Sequence, residues 1–260
     1  MGDAFMLHRV KTRIPKFTYT GNYQFIDDGS GNWRIKFLSS GTLTFTSLGN
    51  ARKGIDVFLV GGGAGGAYHG VGGMWARSGG GSGYVTTVKD GSIVPVKGTG
   101  YGITIGAGGK SNDSSGGYSP TDEYTRGANG GTTSAFGKTA AGGKYGESGY
   151  SYRTQVGLLN LASATGGNGG SGGGCSAYGS NTWPGGYNGG NGTATDHGSA
   201  DSSATAGSGQ GTTTREFGEP GGTMYAQGGG SSTGNIANSG NGGRHNRNGS
   251  SGIVVIRNRR

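Results

Sequence analysis

Apolar and polar residues alternate along the N-terminal third of the chain. The alternation covers Phe17–Thr20, Tyr23–Ile26, Trp33–Leu38 and Thr42–Thr46, with turn-forming residues at Asp27–Asn32. A period of two residues places apolar side chains on one face of a β-strand and polar side chains on the other. We therefore predict a β-sheet module in this region, with one face of each strand buried.

Two other segments, Ile55–Val60 and Ile253–Ile256, are apolar on both faces, as is typical of central strands. A short amphipathic helix is predicted only at Val156–Ala164. Shorter runs of β-branched and aromatic residues predict further strands. These runs are Tyr84–Val88, Ile93–Val96, Tyr101–Ile105, Ser134–Thr139, Thr213–Phe217 and Met224–Gln227.

The glycine content changes this picture, because glycine accounts for 66 of the 260 residues and only 30% of residues are hydrophobic. Such a composition is typical of disordered chains. The glycines are regularly spaced, however, with two glycines and a third residue recurring in Gly61–Gly66 and Gly166–Gly174. Three residues per turn is the period of a polyproline II helix. The glycines predicted to form such helices are Gly61, Gly62, Gly63, Gly65, Gly66, Gly166, Gly167, Gly169, Gly170, Gly172 and Gly173.

A helix of this kind makes no internal hydrogen bonds, so its buried N–H and C=O groups must pair with neighbouring segments. With two of three edges free of side chains, glycine helices can pack against one another. The predicted fold class is all-β plus polyglycine II: an antiparallel β-sandwich-like module carrying a bundle of packed polyglycine II helices, with almost no α-helix. Flexible glycine linkers are the alternative. They are disfavoured because the glycine runs alternate with strand-like segments.

These patterns divide the chain into four parts. Residues 1–16 form a basic N-terminal arm, and residues 17–60 form a β-strand module that strands near 84–105 and 253–257 complete. Residues 61–250 are the glycine-rich region with aromatic loops, and residues 251–260 are a closing strand with a basic tail.

The net charge of +9 is concentrated at the two ends of the chain. If the closing strand pairs near the early strands, both basic ends lie at one pole. We hypothesise that this pole docks on the acidic surface of a partner, although solvated termini are the simpler interpretation. The candidate docking residues are Arg9, Lys11, Arg13, Arg257, Arg259 and Arg260.

The sequence contains no catalytic constellation. Gly61-x-Gly63-x-x-Gly66 matches a dinucleotide fingerprint as a string, but no helix follows it. Cys175 is the only cysteine, and the four histidines lack metal-ligand spacing. No apolar run has the length of a membrane span, and no basic stripe with interleaved aromatics indicates nucleic-acid binding. We expect a protein that is not an enzyme and has no metal, no cofactor, no nucleic acid and no membrane insertion.

Aromatic and polar residues lie between the glycine runs, where loops would emerge at the ends of a bundle. Such residues are enriched in binding loops, although they also serve to cap and seal a glycine lattice. The candidate receptor-binding residues are Tyr68, His69, Trp75, Arg77, Tyr118, Tyr124, Tyr150, Tyr152, Trp183 and Tyr187.

Six strand-flanked blocks together resemble the glycine-rich proteins of bacteriophage tails and tail-fibre tips. The blocks are Thr42–Thr46, Ile55–Gly66, Tyr101–Gly109, Ser134–Gly143, Thr213–Glu219 and Gly252–Arg257. The resemblance implies a β-sheet module carrying a polyglycine II bundle. Similarity to the T-even-type tail-fibre adhesins further implies receptor recognition through variable loops at the distal end of that bundle.

The leading hypothesis is a non-enzymatic phage virion protein at the tail or fibre tip that recognises a bacterial surface protein or glycan. Its expected partners are other phage tail or fibre proteins, and analogy with fibres suggests a homotrimer. Two alternatives remain open: a capsid or tail decoration protein without specific receptor binding, and a bacterial surface adhesion module.

Overall fold

The computed structural model describes residues 14–71, 74–116, 123–151, 161–173, 175–177, 214–230 and 236–260. These residues form β-strands, extended glycine segments and two short 3-10 turns at Gly49–Lys53 and Glu216–Gly218. The prediction of an all-β fold with almost no α-helix is therefore confirmed. The strands are β1 Lys16–Tyr19, β2 Tyr23–Gly29, β3 Asn32–Phe37, β4 Gly41–Ser47, β5 Ile55–Val60, β6 Ala67–Val71, β7 Met74–Ser78, β8 Val85–Ile93, β9 Gly100–Thr104, β10 Asn112–Gly116, β11 Glu123–Arg126, β12 Thr133–Ala135, β13 Lys138–Ala140, β14 Glu147–Ser151, β15 Leu161–Thr165, β16 Cys175–Ala177 and β17 Ile253–Asn258.

Two five-stranded antiparallel sheets form a β-sandwich. Their strand orders are β1-β4-β9-β12-β13 and β2-β3-β17-β5-β8. The alternating strands place one face inward, as the sequence predicts: Trp33 and Ile35 of β3 and Leu43 and Phe45 of β4 are fully buried in the core between the sheets. This sandwich is the module that the N-terminal alternation predicts.

Strands β5 and β17 lie at the centre of the second sheet, which explains why both of their faces are apolar. Val57 and Ile256 face the sandwich core. Phe58 and Val255 face the other way and are covered by Phe217, Tyr225 and Ala226 from the segment after residue 213. The sheet is therefore buried on both sides, with the 214–226 segment forming a third layer.

Five local predictions need correction. Ser134–Thr139 is two short strands, β12 and β13, joined by a turn in which Phe136 has φ 52° and Gly137 has φ 70°. Only Ile93 of Ile93–Val96 belongs to a strand. Neither the described part of Thr213–Phe217 nor Met224–Gln227 is a strand. The two segments share one isolated bridge, Arg215 to Met224, because the chain turns here to cover β5. The end of the predicted helix, Leu161–Ala164, lies in β15, paired with β14; residues 156–160 lie outside the described residues.

A central glycine segment, Gly61–Gly66, links β5 of the sandwich to β6. Its N–H groups donate in three directions, and the direction repeats every three residues. Gly61 and Ala64 donate to Tyr84 and Gly81, Gly62 and Gly65 to Gly131 and Ala128, and Gly63 and Gly66 to Ser250 and Arg247. A repeat of three residues is that of a polyproline II-type helix.

The carbonyl groups of the central glycine segment complete a ring of neighbours. Gly62 and Gly65 accept from Gly143 and Gly146, Gly63 and Gly66 from Gly109 and Asn112, and Ala64 from Gly243. Three segments therefore accept its hydrogen bonds and three others donate to it. The surrounding segments bury backbone against backbone, as the sequence predicts for packed glycine helices.

The segments of this bundle approach too closely for side chains at most contacts. A Cβ atom added to Gly61 would lie 2.0 Å from the carbonyl oxygen of Ala141, and one added to Gly63 would lie 1.9 Å from that of Asn241. The third residue of the repeat, Ala64, carries the only side chain in the central glycine segment and is fully buried. Glycine here forms the packed interior.

The glycine run that begins at Gly166 reverses direction within the bundle. Gly167 and Gly170 donate to Gly79 and Ser82, so this half runs parallel to the segment that leads into β8. Gly173 then donates back to Gly167. The run consequently starts from β15 and returns to β16, which pairs with β7.

Seven strands lie at the end of the bundle away from the sandwich, which we call the distal end. They form two small sheets, β10-β6-β7-β16 and β11-β14-β15. The β6–β10 pair is parallel and the other pairs within these sheets are antiparallel. The sequence predicts loops here. Because these strands are rich in Gly, Ser and Thr, they lack the apolar alternation by which strands are recognised.

A buried ion-pair network fixes the third layer to the second sheet. Arg257 Nε donates to Asp56 Oδ2 at 3.0 Å, and its guanidinium lies 4.1 Å from the centre of the Phe217 ring. Arg257 Nη1 also donates to Glu219. Glu216 pairs with Lys36 at 2.9 Å and with Arg34. Glu216 and Glu219 of the third layer therefore both bind basic side chains of the second sheet.

The close approach at Gly63 predicts that Gly63→Ala prevents the bundle from packing. We expect the free energy of unfolding to fall by about 3 kcal/mol or more, because the added methyl meets backbone that cannot move aside. The matched control is Gly102→Ala on β9, where an added Cβ has nothing within 4 Å. Thermal unfolding of both variants measures the difference, and equal stability would contradict backbone-to-backbone packing.

The Arg257 network predicts that Arg257→Met lowers the free energy of unfolding by about 3–5 kcal/mol, because Asp56 is left as a buried charge without its cationic partner. Urea unfolding measures the loss. Arg259→Met changes an exposed neighbour and should have little effect. The double variant Asp56→Asn/Arg257→Met should recover part of the stability. No recovery would argue against the ion pair as the cause.

Candidate functional site

The two distal sheets pack on each other through small and polar side chains. Ser78 of β7 and Ser148 of β14 are fully buried, with their hydroxyl oxygens 2.9 Å apart. Ser148 also donates to the carbonyl of Ala67 at 3.0 Å. His69 Nδ1 lies 3.0 Å from Thr125 Oγ1, which joins β6 to β11. The distal strands therefore form an ordered platform, held by hydrogen bonds more than by apolar burial.

Trp75 and Arg77 form a stacked pair on β7. The Arg77 guanidinium lies 4.3 Å from the centre of the Trp75 ring, which is cation–π geometry. Both side chains are partly exposed. A flat aromatic–guanidinium stack is the kind of surface that binding sites use, because it offers a large rigid area and several hydrogen-bond donors.

A polar distal cleft lies beside this pair. It has a volume of about 310 Å³ and is lined by Tyr68, Arg77, Asp113, His245 and Asn246. The Tyr68 and His245 rings lie 6.2 Å apart. Among the described residues, the buried atoms Arg77 Nε and His245 Nδ1 have no hydrogen-bond partner. The cleft therefore combines an aromatic wall with a cation, a carboxyl group and an amide.

Burial shifts the pKa values of two side chains in the distal cleft, His245 and Asp113. It lowers the pKa of His245 from 6.5 to about 4, with smaller contributions from the positive charges of Arg77 and Arg244. Burial also raises the pKa of the Asp113 carboxyl group. His245 is consequently neutral at pH 7, so that one of its ring nitrogens donates and the other accepts.

The candidate receptor-binding residues lie in different environments. Tyr68 and Arg77 line the distal cleft, Trp75 stacks on Arg77, and Tyr124 of β11 is 48% exposed on the distal strands. His69 is only 2% exposed, so its side chain is not available to a receptor; it joins the two sheets instead. Tyr150 belongs to β14. Tyr118, Tyr152, Trp183 and Tyr187 lie outside the described residues.

The structure adds three residues to the site that sequence reasoning missed: Asp113, His245 and Asn246. Asp113 lies opposite Tyr68 in the parallel β6–β10 pair. His245 and Asn246 follow Gly243 and precede Gly249, so they form a short polar insertion between two glycine segments. The same arrangement, a polar stretch between glycine runs, singles out Tyr68–Arg77 in the sequence.

The candidate docking residues behave differently from one another. Arg257 is 4% exposed and pairs with Asp56 and Glu219. The prediction that it lies on a docking surface is therefore wrong. Arg259 is exposed, and Arg260 is exposed and pairs with Asp28. Arg9, Lys11 and Arg13 lie outside the described residues.

Neither a metal site nor a membrane-spanning helix is found in the part of the chain that the structure describes. No group of three or more His, Cys, Asp or Glu side chains there could hold a metal ion. None of its helices is long and apolar enough to cross a membrane.

Comparison with known sequences defines the class of protein. The fold, a β-sandwich that continues into packed glycine segments, defines this chain as a glycine-rich protein with an ordered structure. A family model described as a glycine-rich domain matches residues 38–259, which is more than half of the chain. The chain belongs to this glycine-rich domain family. No curated protein matches its sequence.

The lowered pKa of His245 predicts a loss of stability in mild acid. The unfolded state gains a proton near pH 6.5, whereas folded His245 stays neutral down to about pH 4. Its contribution to stability is therefore complete above about pH 6.5 and is lost as the pH falls to about 4. In His245→Gln this part of the pH dependence should disappear. Urea unfolding between pH 7 and pH 4 tests this, and unchanged pH dependence in the variant would contradict the assignment.

Proposed function

We propose that this chain is a non-enzymatic phage virion protein at the tail or fibre tip. In this proposal, it recognises a bacterial surface protein or glycan through its distal end, and it attaches to other phage tail or fibre proteins through its sandwich. It acts outside the cell that it recognises. The proposal rests on the sequence resemblance to tail and tail-fibre tip proteins together with the position of the candidate residues.

The observation that carries the proposal is the separation of the two ends by the bundle. The central glycine segment leaves the sandwich at Val60 and enters the distal strands at Ala67. The Trp75–Arg77 pair and the partly exposed Tyr68 and Tyr124 lie on those strands. Aromatic and arginine side chains on a rigid support have the composition expected of recognition surfaces.

A rigid support also lowers the cost of binding, because little backbone freedom is lost when a receptor contacts the distal strands. The buried hydrogen bonds of Ser78, Ser148 and His69 hold these strands together. This argument applies to either receptor class, protein or glycan. A decoration protein would need no such surface, so receptor binding separates the two functions.

The proposal predicts that the purified protein binds cells of the host bacterium and blocks adsorption of the phage. Tyr124→Ala and Trp75→Ala should each weaken cell binding by about tenfold, the loss expected when a central aromatic contact is removed. Cell binding is measured with fluorescently labelled protein, and adsorption by counting free phage. Thermal unfolding of each variant shows that the fold is kept.

Tyr23→Ala is the matched control, because Tyr23 is 45% exposed on the sandwich and Tyr124 is 48% exposed on the distal strands. The control should bind cells as the natural sequence does. Failure of the natural protein both to bind cells and to block adsorption would favour the structural decoration function. An equal loss of cell binding in all three variants would contradict the proposal that the distal end is the recognition surface.

A further inference from the structure

A second cleft lies at the end of the sandwich opposite the glycine bundle. It has a volume of about 780 Å³ and is lined by the turn between β2 and β3, the end of β4, and the 3-10 turn Gly49–Lys53. Its charged lining residues are Arg52, Lys53, Lys97 and Arg259, and no acidic residue of the described chain lines it. We call it the basic cleft.

All four basic side chains of this cleft are exposed, and none of them forms an ion pair with another described residue. Other arginines of the sandwich differ in this respect. Arg34 and Arg260 pair with Asp28, and Arg257 pairs with Asp56 and Glu219. Asp28 and Asp56 are therefore already occupied by other cations. Uncompensated positive charge collects in the basic cleft.

The wall of the basic cleft is held in place by hydrogen bonds. Trp33 Nε1 donates to Asn50 Oδ1 at 2.6 Å, and Asn50 Nδ2 donates to the carbonyl of Gly31 at 2.9 Å. These bonds join the 3-10 turn to the β2–β3 turn across the cleft wall. Since the wall is fixed before binding, a partner would meet a preformed surface.

The charge of the cleft restricts what can occupy it. A second copy of the chain would bring two positive surfaces together, which is unfavourable. The N-terminal arm of the chain is also unsuitable, because residues 1–13 hold Arg9, Lys11 and Arg13 against a single acid, Asp3. No Phe, Tyr or Trp lines the cleft, whereas single-stranded nucleic acid is bound by stacking on aromatic rings. A flexible acidic polypeptide fits these constraints best.

We propose that the basic cleft binds an acidic segment, rich in Asp and Glu, of the virion protein that carries this chain. The N-terminal strand adds a further basic residue near this cleft, because Lys16 of β1 lies opposite Ser47, which lines the cleft. The inference rests on the proposed attachment through the sandwich end. It does not depend on receptor recognition at the distal end.

The experiment measures binding of a fluorescent peptide of about ten glutamates to the full chain by fluorescence anisotropy. A glutamine peptide of equal length is the uncharged control, and oligothymidylate of equal length tests nucleic acid. We expect the glutamate peptide to bind, the glutamine peptide not to bind, and added salt to weaken binding. Lys53→Glu/Lys97→Glu should weaken it by at least about tenfold, because attraction becomes repulsion at two positions.

The matched control is Lys110→Glu/Lys144→Glu, which makes the same change in net charge at exposed lysines of the glycine bundle. It should retain most of the binding. Equal loss in both variants, no binding of the glutamate peptide, or tighter binding of oligothymidylate would each overturn the proposal.

The host-cell assay distinguishes a failure of this proposal from a failure of the proposed receptor recognition. Lys53→Glu/Lys97→Glu should lose the glutamate peptide and still bind cells, because its distal end is unchanged. If the natural protein binds the glutamate peptide but does not bind cells, receptor recognition is refuted and the proposal for the basic cleft stands.

Discussion

Direct hydrogen bonding between glycine backbones is the constraint on which the rest of this structure depends. The central glycine segment has neighbours on all sides, at distances that leave no room for a Cβ at Gly61 or Gly63. Ordering glycine is costly in backbone entropy, so a single glycine segment would not hold its conformation alone. Only a bundle in which each segment completes the hydrogen bonds of the others offsets that cost. The distal strands keep their positions because this bundle joins them to the sandwich.

The sequence predicts the sandwich well because its strands alternate with a period of two, and β5 begins and ends at the predicted residues, Ile55 and Val60. The distal strands were not predicted, since their interior is built from Ser78, Ser148 and Ala67 and leaves no apolar pattern to detect. The 214–226 segment was misread for another reason. The apolar side chain of Phe217 packs on the outer face of the second sheet. The pattern of apolar residues in a short segment does not distinguish such a covering turn from a strand.

The candidate sites show a similar limit. A sequence marks His69 and Arg257 as polar residues near other candidates, but it does not show that both are buried. The distal cleft is assembled from β6, β7, β10 and the 244–247 turn, and that turn follows the three strands by more than a hundred residues along the chain. Asp113 and His245 could be found only once the glycine segments brought these elements together. In this protein, contacts made by backbone determine which side chains become neighbours.

The three-residue repeat of the central glycine segment also restricts how such a chain can change in length. Each residue turns the segment by about a third of a revolution, so losing one residue would aim every following N–H at the wrong neighbour. Losing three would shorten the segment and preserve all of its directions. The glycine segments should therefore vary among related chains in steps of three residues. The distal strands pair as β-sheets and are free of that rule, so their side chains could change among related chains while the bundle that carries them stays intact.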